Sequence, residues 1–269
     1  MLGARKDRMT KRWNAELYHA TASMQAGLAV ELLMRHHRPT GTEAVLDIGC
    51  GDGRITARIA TSVPQGSVLG TDPSSDMIAF AGRTYPPMAH PNLAFQQIGA
   101  EELPWTDRFD LAVSFSALQW VPRQLIALRN IHRALKPNGR ALFLVFPRIE
   151  CIWGPSEFVA SSPRWREYFA GYTQPMQFHD VDGYRILVEE AGFAVDFVRA
   201  EPHVLRYRTK TEYETFLSNF LPYLDRIPPD LAESFLRDIG TQFERFTARD
   251  EDGSLLAPCR TIEVSAYKR

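Results

Sequence analysis

Short apolar runs alternate with amphipathic helical patterns along the first half of the chain. The runs of strand type cover residues 44–48, 67–71, 93–98, 109–115 and 140–146, and helical patterns cover 24–37, 55–63, 76–85 and 125–136. Proline and glycine at 39–41 and 137–139 are typical of a helix end and a turn. This alternation predicts an α/β fold, Rossmann-like, with a mostly parallel sheet and helices on both faces.

The pattern changes after Phe146. Residues 147–182 are rich in aromatic residues and turn formers, and a helical pattern at 183–193 leads into a strand-like run at 194–207. Two more helical stretches follow at 209–222 and 229–247, and alternating residues at 261–268 predict a last strand. We interpret 147–182 and 209–258 as insertions that form a lid on the core fold, because neither has the pattern of an independent domain.

A glycine-rich turn follows the first predicted strand. Residues 45–54 read VLDIGCGDGR, so the strand stops at Gly49, Gly51 and Gly53 and a helix follows. Such a turn lets a ligand approach the backbone, with helix amides directed at it. The spacing is G-x-G-x-G, whereas dinucleotide-binding proteins prefer G-x-G-x-x-G.

Asp72 ends the second predicted strand, where a carboxylate can accept hydrogen bonds from both hydroxyls of a ribose. Taken singly, the glycines could form only a tight turn, and Asp72 could only cap a helix. Their combination in one β-α-β unit predicts a nucleotide-type ligand.

These motifs resemble those of the class I S-adenosylmethionine-dependent methyltransferases. VLDIGCGDG is similar to the family's first motif, GTDPSSDMI to its second and residues 98–104 to its adenine-contacting segment. FDLAVSFSALQWV resembles the fourth-strand motif, and LKPNGRALFLV resembles the turn into the fifth strand. The resemblance covers about residues 40–146 and implies seven strands, an antiparallel last strand at 261–268 and S-adenosylmethionine as the cofactor.

The resemblance also implies roles for individual residues. Gly49 and Gly51 would pack under the methionine part of the cofactor, and Asp72 with Pro73 would lie at its ribose. The remaining implied cofactor contacts are Met77 on the adenine face, Ala100 and Glu101 at the adenine edge, and Ser114 near the transferred methyl group. Where relatives often carry an acidic residue after the third strand, this chain has Ala100-Glu101, so the adenine contact is expected to be displaced by one position.

A closer resemblance extends over nearly the whole chain, though more loosely outside the core motifs. The segment WNAELYHATASMQAGLAVELL, SALQWV and the ending LLAPCRTIEVSAYKR are similar to trans-aconitate methyltransferases and related carboxyl methyltransferases. In that group the N-terminal segment, here with Tyr18, covers the cofactor. We therefore predict one domain over 1–269, with a helical cover at 1–38 and a cofactor-binding core at 40–146.

Three residues are candidates for the acceptor site. Gln119 and Trp120 follow the fourth strand, where the family's substrate meets the methyl group, although Trp120 could equally seal the core. Arg148 follows the fifth strand, and its guanidinium could hold a carboxylate by two hydrogen bonds. Most arginines of a protein instead lie on solvated faces.

The sequence offers no convincing buried acid–base pair. His179-Asp180 could be one, but a surface histidine beside a helix-capping aspartate is the favoured interpretation. A carboxylate acceptor, with a free pKa of about 4, is ionised at neutral pH and needs no base. We therefore expect an enzyme that methylates a small-molecule carboxylate, such as a trans-aconitate-like acid.

Composition narrows the class of protein. A formal net charge of −1 gives no reason to expect nucleic acid or an anionic membrane as partner. The basic opening is followed by Trp13 and Asn14 where a secretory signal would need an apolar run, so a cytoplasmic location is expected. The three cysteines, Cys50, Cys151 and Cys259, have no metal-ligand spacing, and no metal is predicted.

Three alternatives remain open at the level of the sequence. The first is a methyltransferase for another small molecule, a lipid precursor or a carrier-bound acid. The second is a nicotinamide-dependent oxidoreductase, which would share the fold and Asp72 but prefer a different glycine spacing. The third is a non-catalytic protein that binds the cofactor without turning it over. The sequence leaves the oligomeric state undefined.

Overall fold

The computed structural model describes residues 13–21, 23–37 and 39–269. Its strands are β1 (Ala44–Ile48), β2 (Ser67–Asp72), β3 (Leu93–Gln97), β4 (Phe109–Phe115), β5 (Leu135–Val145), β6 (Ala194–Tyr207) and β7 (Leu255–Tyr267). They form one sheet in the order β3-β2-β1-β4-β5-β7-β6. The pairs among β1 to β5 are parallel, and β7 is antiparallel to both β5 and β6. The predicted seven-stranded, Rossmann-like α/β fold with an antiparallel last strand is confirmed.

The helices cover both faces of this sheet. They are α1 (Ala15–Thr21), α2 (Ser23–His36), α3 (Arg54–Ser62), α4 (Ser75–Thr84), α5 (Gln124–Ala134), α6 (Glu150–Ala160), α7 (Val181–Glu190), α8 (Lys210–Phe220) and α9 (Pro229–Phe246). Successive side chains of β5 show why both faces are buried. Phe143 packs in one cluster with α5 and α7, whereas Leu142 and Leu144 pack in another with α2 and α3.

Two strand boundaries differ from the expectation. β5 begins at Leu135 rather than at 140, so α5 ends at Ala134, and the β4–β5 register is irregular between Phe109 and Leu111. β7 begins at Leu255 rather than at 261, because β6 supplies hydrogen-bond partners as far as Tyr207. Alternation in one strand cannot show how far its partner extends.

The β6–β7 pair projects past the carboxyl edge of the parallel strands. The last residue of β5, Val145, pairs with Ile262, whereas β6 and β7 remain paired as far as Tyr207 and Leu255. We call this projection the ribbon (residues 201–207 and 255–261). Helices α6, α8 and α9 pack with the ribbon through an apolar cluster, here named the outer cluster, whose largest buried members include Trp153, Trp165, Tyr213, Phe235 and Phe243.

Helix α6 lies in a segment for which the sequence indicated turns and aromatic residues. It contains Pro155, whose missing N–H leaves the carbonyl of Cys151 without its usual helical donor. The hydroxyl of Tyr213 donates a hydrogen bond of 2.9 Å to that carbonyl. A side chain from α8 therefore completes α6, which local sequence could not predict. In the described part of the chain, no helix is long and apolar enough to cross a membrane.

Candidate cofactor and acceptor site

The glycine loop between β1 and α3 is built from left-handed backbone conformations. Gly49, Gly51 and Gly53 have φ values of 73°, 54° and 78°, which side-chain-bearing residues rarely adopt. At Gly49 a Cβ atom would lie 2.2 Å from the Cβ of Ala117, so this glycine is required for packing against the β4 loop. At Gly51 the nearest atom to a Cβ would be Cε1 of Tyr18 at 3.7 Å, which leaves its face open beneath that ring.

Asp72 links the end of β2 to this loop. Its Oδ2 accepts a hydrogen bond of 3.1 Å from the Gly51 amide, and its Oδ1 accepts one of 2.9 Å from the Ser74 amide. Burial raises the pKa of Asp72, and these two amides oppose that shift. Each oxygen keeps a further lone pair, so the carboxylate can hold the loop and still accept hydrogen bonds from a ligand.

Helix α1 is fixed against the glycine loop by a contact that the sequence analysis did not identify. Nδ1 of His19 lies 2.7 Å from Oδ2 of Asp52, and Arg54 donates a hydrogen bond to the main-chain carbonyl of His19. Burial of Tyr18, which lies on the same helix, raises the pKa of its phenol. The nearby charges of Asp52 and Asp72 raise this pKa further. His19 and Asp52 are 33 positions apart in the chain. No pattern among neighbouring residues of the sequence therefore predicts that they pair.

The predicted adenine edge forms a short 3₁₀ turn, Ala100–Glu102. Ala100 is buried, but the carboxylate of Glu101 is engaged by Arg123, with bonds of 2.8 Å from its main-chain amide and 2.6 Å from its guanidinium. Glu101 therefore holds the turn in position through its contacts with Arg123. Met77 is buried on α4.

Ser114 is placed differently from the expectation. Its hydroxyl is fully buried and donates a hydrogen bond of 2.8 Å to the Ile48 carbonyl, which ties β4 to β1. Ser116, two residues later, lines the adjacent cavity instead. Ser116 has a φ of 59°, an unusual backbone for a residue with a side chain, and it follows the strand end directly.

An open cavity lies beside the glycine loop and under the outer cluster, and about 70 Å³ of it is accessible to the centre of a water-sized molecule. Tyr18, Ser116, Gln119 and Trp120 line its end next to the glycine loop, which we call the inner end, and the other walls are mainly apolar. No Lys, Arg, His, Asp or Glu is among the described residues that line it. The ring of Trp13 is 5.3 Å from that of Trp120, so the segment before α1 covers this end.

Two polar atoms at the inner end are buried and have no hydrogen-bond partner among the described residues. They are Oγ of Ser116 and Oε1 of Gln119. Nε2 of Gln119 donates to the Ser116 carbonyl at 3.0 Å, which fixes the amide so that its oxygen stays available. Buried polar groups without partners are rare, and they point to a ligand at this place.

The structure does not bring Arg148 together with Gln119 and Trp120. Its guanidinium donates two parallel hydrogen bonds to Glu157 of α6, at 2.7 and 2.9 Å, although its neighbours Pro147 and Ile149 line the cavity. Asp180 caps α7 by accepting a 2.8 Å hydrogen bond from the Gly183 amide, in line with its favoured interpretation.

Comparison of the sequence with known proteins finds methyltransferases. The family described as methyltransferase domain matches residues 45–139, which include the glycine loop, Asp72 and the β4 loop. Juvenile hormone acid O-methyltransferase of Drosophila melanogaster is 27% identical over 245 residues, covering 86% of this chain and 82% of the relative. Trans-aconitate 2-methyltransferase of Variovorax paradoxus is 28% identical over 265 residues, covering 96% and 98%.

Comparison with solved structures finds a similar fold in another protein. The crystal structure of the YcgJ protein from Bacillus subtilis superposes with a TM-score of 0.58 at 17% identity, covering 92% of this chain and 99% of that one. The sequence matches favour a methyltransferase over the nicotinamide-dependent alternative. Residues 45–139 therefore form a methyltransferase domain, and the sequence matches support an enzyme of the class I S-adenosylmethionine-dependent methyltransferase type.

Proposed function

We propose that this enzyme transfers a methyl group to the carboxylate of a small-molecule acid and so forms a methyl ester. The observation that carries the proposal is the inner end of the cavity, where the described residues offer neutral hydrogen-bonding groups but no carboxylate, histidine or lysine. A carboxylate is ionised at neutral pH, with a free pKa of about 4, and needs no proton removed. An amine, phenol or carbon acceptor usually requires a base.

The residues present fit S-adenosylmethionine. Gly51 leaves open space beneath Tyr18, and Asp72 keeps a lone pair on each oxygen. We propose that Gly49 and Gly51 hold the methionine part, that Asp72 and Pro73 hold the ribose, and that Met77 and Ala100 contact the adenine. The bound cofactor supplies a methyl group that is already activated by its positively charged sulfur.

For the acceptor, we propose that the Ser116 hydroxyl donates a hydrogen bond to the carboxylate. Gln119 presents an acceptor oxygen, which suits a donor such as an ammonium group of the cofactor. Tyr18 stays protonated at neutral pH, because burial and the two nearby carboxylates raise its pKa. Trp120 and Trp13 close the site and exclude water. Arg148 can reach an acceptor only by leaving Glu157.

The single-domain organisation is also a proposal. Residues 13–21 and 23–37 belong to the predicted cover, whose remaining residues lie outside the described part of the chain. Residues 40–146 form the cofactor-binding core, and the insertions 147–182 and 209–258 form the lid over the acceptor. Support comes from α1, which contacts the glycine loop through His19 and Asp52, and from the outer cluster, which roofs the cavity.

The test is an acceptor screen with methyl-labelled S-adenosylmethionine and a panel of carboxylic acids, amines and phenols. We expect the label to appear in methyl esters, which mild alkali hydrolyses. The Gly51→Val variant serves as the control for enzyme-dependent label. Labelling of amines or phenols in preference to every acid would refute carboxylate methylation while leaving the methyltransferase assignment intact.

A further inference from the structure

The walls of the acceptor cavity divide into a polar inner end and an apolar remainder. Ser116 and Gln119 lie at the inner end, next to the loop that packs on Gly49. The remaining wall is built mostly by Ile152, Trp153, Phe178, Leu205, Phe216 and Phe220. These side chains come from α6, the segment before α7, the ribbon and α8, so the cavity extends into the outer cluster.

The ribbon sets how far this apolar wall reaches. Leu205 lies five residues beyond Ala200, which is paired to the same β7 residue, Ile262, as the last residue of β5. Five residues correspond to about 17 Å along a strand. The cavity is therefore lined by apolar side chains well beyond the sheet edge where Ser116 lies.

The described residues that line the cavity include no cation that could pair with a second carboxylate of a substrate. Arg148, whose neighbours Pro147 and Ile149 line the cavity, is not a lining residue itself. It forms two hydrogen bonds with Glu157 and a further contact with Glu150 at 3.4 Å. A second carboxylate within the apolar wall would lose its hydration without gaining a charged partner, which is strongly unfavourable.

We propose that the acceptor is a monocarboxylic acid with an extended apolar body, whose carboxylate lies at Ser116 and whose tail lies between α6, the ribbon and α8. This inference rests on the proposed carboxylate methylation and narrows its substrate class. Polycarboxylic acids, such as the tricarboxylic acid named in one relative, are poor acceptors for this enzyme.

The first experiment measures kcat/KM for straight-chain acids from hexanoate to tetradecanoate, together with citrate and trans-aconitate. Burying one methylene is worth about a fourfold gain, so kcat/KM should rise by about fourfold per methylene until the cavity is filled. A tricarboxylic acid that is methylated more efficiently than every monocarboxylic acid overturns the proposal.

The second experiment changes the far end of the cavity. Leu205→Trp should shorten the chain length of the acid for which kcat/KM is highest. Val204→Trp is the matched control, because Val204 precedes it on the opposite face of the strand and is 55% exposed. Equal chain-length profiles for the two variants contradict the proposed tail position. If Leu205→Trp does not fold, Phe220→Ala replaces it and should move the optimum to longer acids.

Failure of the carboxylate proposal is recognised separately. If amines or phenols are methylated instead of acids, the same tails are compared on those head groups. A rise in kcat/KM with tail length then supports the apolar cavity although the carboxylate is refuted. No dependence on tail length overturns this inference.

Discussion

At the scale of single residues, Asp72 shapes the glycine loop, and we propose that it also binds the cofactor. Its two oxygens accept main-chain hydrogen bonds from Gly51 and Ser74, so they shape the loop that they border. Asparagine keeps the size of the side chain but loses the charge and places a donor opposite one of these amides. The Asp72→Asn substitution therefore tests whether the charge and hydrogen bonds of Asp72 matter, or only its size.

We expect Asp72→Asn to weaken binding of S-adenosylmethionine by about 2–4 kcal/mol, or about 30- to 700-fold in Kd, because charge-assisted hydrogen bonds to the ribose are lost. Titration calorimetry measures this change. Asp76→Asn, at an exposed position in the first turn of α4, is the control. An unchanged Kd in the folded Asp72 variant would place the ribose elsewhere.

Gly51 can be tested against a glycine with the same backbone. Gly51→Val should abolish cofactor binding, because its side chain would fill the space beneath Tyr18. Gly171→Val carries a similar positive-φ strain, with φ of 69° instead of 54°, but meets nothing within 4 Å. Both variants should lose about 1–2 kcal/mol of stability. Normal binding by Gly51→Val would mean that the loop is only a structural turn.

At the scale of elements, β1 and α3 are joined by a buried carboxyl group. Asp47 is 2% exposed and accepts a hydrogen bond of 2.7 Å from Thr56. Burial, with smaller contributions from Asp72 and Asp52, raises the pKa of Asp47 to about 7. The folded protein therefore binds this proton more tightly than the unfolded chain does, which makes the group sensitive to pH.

The sign of the effect follows from that difference. Stability from Asp47 is fully present below its unfolded pKa of about 4 and is lost as the pH rises through about 7. Asp47→Asn should remove this decline, which is worth up to about 4 kcal/mol. Urea unfolding at several pH values measures it, with exposed Asp182→Asn as the control. Parallel pH profiles for wild type and Asp47→Asn would contradict the expectation.

Arg148 connects the end of β5 to α6. We expect Arg148→Lys to lower the free energy of unfolding by less than about 1 kcal/mol, since the pair with Glu157 is partly exposed. Cofactor affinity and kcat/KM for acids should change by less than about threefold by the same reasoning. Arg164→Lys, which makes the same change in another ion pair beside the outer cluster, is the control. A loss of about ten- to a hundredfold in kcat/KM at unchanged stability would indicate instead that Arg148 binds the acceptor, as its position in the sequence first suggested.

At the scale of the whole molecule, β6 and β7 belong to two apolar clusters at once. Val198 and Val264 pack in the cluster beneath α5 and α7, whereas Tyr207 and Leu255 pack in the outer cluster. The same two strands therefore carry the cofactor-binding sheet and the roof of the cavity. Neither cluster can be lost without breaking a strand that supports the other.

This sharing predicts one cooperative unfolding transition. Far-ultraviolet circular dichroism follows the sheet and helices, while tryptophan fluorescence reports largely on buried Trp153 and Trp165 of the outer cluster. We expect both signals to change at the same denaturant concentration. Fluorescence that changes well before circular dichroism would show instead that the outer cluster unfolds as a separate unit.

The sequence by itself determined the order of strands and helices, the glycine loop and the position of Asp72. These features depend on chemistry within a few residues, such as apolar periodicity and the backbone freedom of glycine. It also indicated that Gln119 and Trp120 lie near the acceptor, because both follow a strand whose end faces the site.

Only the tertiary structure decided which side chains face the cavity. Ser114 is held by Ile48, Glu101 by Arg123 and Arg148 by Glu157, while Ser116 reaches the site. The residues next to each of these side chains in the sequence do not decide whether it points towards a ligand. The difference arises from hydrogen-bond partners on other elements, because a polar group that is satisfied by a partner within the fold is no longer available to a ligand.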